Sequence, residues 1–68
     1  MQVNIAKIKG LMAEHGETQQ DLARVLGCSV TTVGNYMTSK SVMRVDDVGK
    51  IAVHYEVSPF DLLKTTQK

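Results

Sequence analysis

Gln19-Gln20-Asp21-Leu22-Ala23-Arg24-Val25-Leu26-Gly27-Cys28-Ser29-Val30-Thr31-Thr32-Val33-Gly34-Asn35-Tyr36-Met37-Thr38 decides how this chain folds. Leu22, Ala23 and Leu26 recur at the spacing of one helical face, and so do Val33, Tyr36 and Met37. Between the two sets stands Gly27-Cys28-Ser29, a turn that opens on the residue most tolerant of positive φ. Thr18 with Asp21 three residues on is a capping-box signature for a helix over 19–26. Ser29 is a natural N-cap for a helix over 30–37. Ala23 is small enough for close helix approach, and Cys28 fits as a small apolar residue within the turn. Two short helices joined this tightly form a helix-turn-helix.

Further helices are read on either side. Ile5, Ile8, Leu11 and Met12 predict one over about 3–15, ended by Gly16. Val48, Ile51 and Ala52 predict another over about 45–55, with Asp46 and Asp47 placed well for the helix dipole. The last is short, about 59–64, with Ser58 as cap, Pro59 at the favoured first position and Asp61 completing a second capping box. No alternating segment suggests a sheet. The expected fold is all-α, a compact bundle of about five short helices with the helix-turn-helix formed by helices 2 and 3. The chain reads as a single domain over 1–68, with a core of about 5–64 and a short tail at 65–68.

Composition excludes more than it asserts. Eight basic and seven acidic residues leave a net charge of +1, so charge alone does not announce a polyanion partner. Tyr36, Tyr55 and Phe60 are too few for a single-strand stacking platform. The one cysteine admits no internal disulfide and suits a reducing cytosol. No apolar run is long enough for a membrane span, and the first residues lack a signal-peptide pattern. These features lead us to expect a cytoplasmic protein without membrane, small-molecule ligand or cofactor. No paired carboxylates, activated nucleophile or phosphate loop point to an enzyme. His15 and His54 are lone histidines at helix ends and do not make a metal site. Arg24 and Lys7 read as solvated, and the four methionines as core filler.

The outward face of the second motif helix carries Val30, Thr31, Thr32, Gly34, Asn35 and Thr38. These residues are short and uncharged, whereas a solvent-facing helix would be laced with Lys and Glu. Asn bonds adenine through two hydrogen bonds, Thr bonds either base type, and Val lies against a thymine methyl. Gly34 is expected to let the backbone approach DNA closely.

Residues from about 8 to 63 resemble the lambda repressor/Cro-like domain, the Xre family of phage and bacterial regulators. The pieces that carry the resemblance are Thr18-Gln19-Gln20-Asp21-Leu22-Ala23, Leu26-Gly27-Cys28-Ser29, Val33 and Tyr36. Downstream, Val48-x-x-Ile51-Ala52 and Val57-Ser58-Pro59-x-x-Leu62-Leu63 are similar to the family's last two helices. The resemblance implies base contacts from Val30, Thr31 and Asn35, and with Gly34, read above from the residues alone, these make the expected base-reading set. It implies phosphate or positioning contacts from Gln19, Ser29, Thr32, Thr38, Lys40 and Arg44. It implies a transcriptional regulator, expected to be a phage or prophage Cro-like repressor acting by operator occupancy. The expected target is double-stranded DNA with a partly palindromic operator, bound by a weak homodimer formed on the DNA. The alternative is an antitoxin or anti-repressor module whose partner is another protein. Phe60 and Leu63 are candidates for a dimer contact, unless Phe60 folds back onto Tyr55 or Val57. Many family members pair an Arg in the first helix with a Glu late in the third. Met12 and Met37 stand at those positions here, so a buried ion pair is replaced by thioethers, an exchange tolerated when both partners change.

Overall fold

A computed structural model describes residues 2–64. It contains helices α1 (Ile5–Glu14), α2 (Gln19–Leu26), α3 (Val30–Met37) and α4 (Val45–Tyr55), followed by a 3-10 turn (Pro59–Leu62). Ile8, Leu22, Val33, Ile51 and Leu62 are the largest fully buried side chains, one from each of these five elements. The core is therefore a single cluster to which every element contributes. α2 packs on α3 and α4, and the final turn packs on α4 and α1. Met12 and Met37 are both buried in this cluster. The segment at 65–68, expected as a tail, lies outside the described residues.

Local chemistry sets the element ends. The Thr18–Asp21 capping box forms: the Thr18 N–H donates to Asp21 Oδ2 at 2.9 Å, and the Asp21 N–H donates to Thr18 Oγ1 at 3.3 Å. The Thr18 N–H and, at 3.2 Å, the Thr18 hydroxyl donate to the Asp21 carboxyl and hold it below its usual range, with the nearby Arg24 adding to the effect. Ends of the chain differ from the sequence expectation. α1 starts at Ile5 rather than Val3, because the Asn4 side chain caps it by accepting from the Lys7 N–H. Val3 instead makes an isolated antiparallel bridge with Leu63. The Asn4 N–H donates to the Leu62 carbonyl at 2.7 Å and the Lys64 N–H to the Gln2 carbonyl at 2.9 Å. This pairing draws Leu63 into extended backbone, so the last helix closes at Leu62 and is 3-10 in form. The second capping box is incomplete: Ser58 Oγ accepts from the Phe60 N–H, and among the described residues no reciprocal Asp61 bond accompanies it.

All four helices stop in the same way. A left-handed residue follows each, at Gly16, Gly27, Ser39 and Glu56. The next N–H then reaches back five residues, as in Glu17 to the Met12 carbonyl at 2.8 Å and Val57 to the Ala52 carbonyl at 2.9 Å. Glycine takes this conformation at no steric cost; Ser39 and Glu56 do not.

The α1–α2 connection is tied to the end of α4. Glu17 accepts from the Tyr55 hydroxyl at 2.7 Å and lies 2.8 Å from His54 Nε2. The bonds from Tyr55 and then His54 hold the Glu17 carboxyl below the usual range, while burial and the bond to Glu17 push the Tyr55 hydroxyl up. The rings of His15 and His54 both pack on Tyr55, with centroids 4.9 and 4.7 Å away. The two histidines thus serve packing here.

Glu56 is exposed and left-handed, at φ 58°. Relief of that strain, less the extra entropy a glycine loses on folding, predicts that Glu56→Gly stabilises the domain by about 0.5–1 kcal/mol. In thermal melts this is a rise of roughly 2–8 °C. An unchanged or lower melting temperature would show that the strain is absorbed elsewhere.

Candidate nucleic-acid interface

The interface is built outward from the turn. Gly27 adopts φ 70°, its N–H directed to the Ala23 and Arg24 carbonyls. The Cys28 N–H then donates to the Ala23 carbonyl at 3.0 Å. Cys28 itself is half-buried and packs against the core. Ser29 is extended, and its hydroxyl accepts from the Thr32 N–H at 3.1 Å, starting α3 within two residues of the turn.

α3 is anchored by one face and open on the other. Val33, Tyr36 and Met37 are buried. At 100° per residue, Thr31 and Asn35 fall opposite that buried arc, one turn apart. Thr31 is exposed and Asn35 half-buried; neither belongs to the core. Val30 stands beside them at 42% exposure. Gln19, exposed at the start of α2, lies over α3: a Cβ added to Gly34 would sit 3.6 Å from Gln19 Oε1. An alanine would therefore stand at ordinary contact distance from Gln19, and space alone does not demand glycine at this position.

Past α3 the chain forms a ledge. The Thr38 hydroxyl donates to the Gly34 carbonyl at 2.9 Å, and the Lys40 N–H to the Asn35 carbonyl at 2.8 Å. Met43 is buried and pins the ledge from below. Lys40 and Arg44 are both exposed on it. Beneath, the Tyr36 hydroxyl donates to Asp47 Oδ2 at 2.8 Å, joining α3 to the first turn of α4. Elsewhere, Arg24 pairs with Asp21 on the exposed side of α2 at 3.1 Å.

A sequence match to the Cro/C1-type HTH DNA-binding domain runs over residues 7–68. The chain belongs to that family. A DNA-binding helix-turn-helix is thus its shared core, with α2 and α3 as the motif. The fold is also similar to the crystal structure of a transcriptional regulator from Listeria innocua, with a TM-score of 0.82 and 23% sequence identity. That comparison covers 100% of this chain and 64% of the other, so the chain spans about two-thirds of the regulator's length. No curated protein matches the chain.

Against the Cro/C1-type framework, the expected base-reading positions Val30, Thr31, Gly34 and Asn35 fall on one side of α3, with Gln19 beside them. Ser29 and Thr32 are neighbours at the start of α3, with hydroxyl oxygens 3.0 Å apart. Thr38 closes its far end, and Lys40 and Arg44 follow on the ledge. Phe60 is apart from this group on the final turn, 79% exposed, so it does not fold back. Leu63 is half-buried and packs on the core, leaving Phe60 as the exposed member of that pair. Sequence reasoning did not find the Tyr36–Asp47 bond. Its signal was available: a tyrosine on a buried helix face needs a partner for its hydroxyl.

The contact to Gln19 at 3.6 Å is an ordinary van der Waals separation. Gly34→Ala is therefore expected to raise stability by about 0.5–1 kcal/mol through helix propensity. Circular dichroism melts read this directly, and a lower melting temperature would show that the Gln19 side chain cannot yield.

Proposed function

We propose that this chain is a sequence-specific transcriptional regulator, a phage or prophage Cro-like repressor that acts by occupying its operator. The observation that carries the proposal is the short, uncharged face of α3, whose Thr31 and Asn35 are turned away from the core. A helix on a protein surface with no charged side chain gains nothing in water, but its amide and hydroxyls fit base edges in a major groove. Val30, Thr31, Gly34 and Asn35 read bases. Gln19, Ser29, Thr32, Thr38, Lys40 and Arg44 hold the backbone and fix register, because phosphate contacts position and base contacts specify.

The target is double-stranded DNA with a partly palindromic operator, read in the cytoplasm by two copies. Their reading helices meet successive major grooves about 34 Å apart. One copy offers few phosphate contacts, so the dimer forms weakly and is completed on DNA, with Phe60 and Leu63 at the contact between copies. The chain works as a single domain, without cofactor.

Selection from random duplexes followed by binding of a Thr31→Ala, Asn35→Ala double variant tests this. A partly palindromic site is expected to emerge, and the variant is expected to lose about 2–4 kcal/mol on it, from roughly 1–3 kcal/mol per base contact. Lys40→Ala should weaken all sequences alike and lower the salt slope by about one. Absence of enrichment, or a double variant that binds like the parent, overturns the reading and favours a protein partner.

A further inference from the structure

Residues 38–44 connect the base-facing helix to α4 and carry both candidate phosphate-gripping cations. Their geometry has three anchors. The Asn35 carbonyl holds the backbone at Lys40 and, at 3.3 Å, at Ser41. Met43 is sunk into the core. The third anchor spans the whole segment: the Tyr36 hydroxyl on Asp47 Oδ2, 2.8 Å long and partly buried. Tyr36 directly follows Asn35, and Asp47 comes three residues after Arg44. The bond thus joins one helix just beneath its reading side to another just beneath the residue that starts it.

We propose that Tyr36 and Asp47 are positioning residues for DNA binding, their hydrogen bond setting α3 at a fixed tilt to the ledge that carries Lys40 and Arg44. The proposal rests on the DNA reading of α3. Apolar packing tolerates sliding and rotation, whereas a short hydrogen bond to a carboxylate has one favoured direction. Two rigid helices joined at one such point keep the base-reading and phosphate-holding groups in register. A phenylalanine would fill the same volume without that constraint. The carboxylate also carries a cost that packing alone does not require, because a negative charge beside a phosphate site repels the ligand. Tyr36 covers one of its oxygens. The charge of Arg44 is felt at the Tyr36 hydroxyl, opposing the rise that the Asp47 bond and burial impose on it.

The test measures binding of the selected operator and of an unrelated duplex, each across a salt series, with the folded fraction followed by circular dichroism. Tyr36→Phe is expected to weaken operator binding roughly tenfold, the scale of one lost hydrogen bond to a charged group. Its salt slope is expected to fall by about one as a phosphate contact is lost. Asp47→Asn, whose amide oxygen still accepts from the hydroxyl, keeps operator binding, while Asp47→Ala loses it. Because Tyr36→Phe also costs stability, it is repeated with Glu56→Gly, a stabilising change at the far end of α4. Positioning predicts that binding stays weak when the fold is restored. Full recovery of binding in the Glu56→Gly background overturns the proposal, as does a Tyr36→Phe variant with parental affinity and slope, or an Asp47→Asn variant as weak as Asp47→Ala. A parent that binds no duplex is a separate failure, of the DNA reading itself, and removes the proposal with it.

Discussion

The left-handed backbone at Gly27 is the constraint on which the rest depends. It ends α2 with two carbonyls satisfied and turns the chain in one residue, so that Ser29 begins α3 almost at once. The orientation of α3 is then fixed by what it must bury: Val33, Tyr36 and Met37 go to the core, and Thr31 and Asn35 are left on the other side. A longer or looser connection would let α3 rotate about its axis, and the polar face would lose its outward bearing. Any other residue at Gly27 would meet the strain of positive φ in the one place where the motif cannot relax.

The domain is small, and burial alone provides it with limited stability. It supplements burial with directional bonds at two places. Tyr36 and Tyr55 are both buried, and each directs its hydroxyl at a carboxylate on a neighbouring segment, Asp47 and Glu17. One bond ties α3 to the start of α4; the other ties the α1–α2 connection to its end. α4 is thereby held at one end to the second helix of the motif and at the other to the connection that leads into the first. Among the described residues no buried side-chain nitrogen or oxygen lacks a partner, so this polar content is fully satisfied. The 3-10 turn and the Val3–Leu63 bridge close the remaining side, bringing the two ends of the described chain together.

Much of this was legible because its causes are local. Gly27, the Thr18–Asp21 box, the Ser29 cap and the apolar spacing of each helix act within a few residues, and all appear as read. What escaped reading has causes distant in sequence or hidden by residue type. The Val3–Leu63 bridge pairs opposite ends of the chain through a single residue pair, too short to leave an alternating pattern. It was this bridge that shortened the last helix. Ser39 and Glu56 are left-handed without being glycines, so nothing in their identity marks the turn. His54 and His15 look solitary in sequence, yet Tyr55 and Glu17 gather them into one cluster. On α3, the spacing of Val33, Tyr36 and Met37 marked the buried side and so left Thr31 and Asn35 opposite it, while the nearness of Gln19 to Gly34 required coordinates.

The central claim is that one face of the molecule, α3 with the ledge behind it, is the surface that meets DNA. Amide chemical-shift mapping of the isotopically labelled chain, titrated with its selected duplex, tests it residue by residue. The largest changes should cluster at residues 29–35 and 38–44 and at Gln19, with the exposed side of α4 around Val53 little affected. Shifts concentrated around Val53 with Thr31 and Asn35 silent would contradict it.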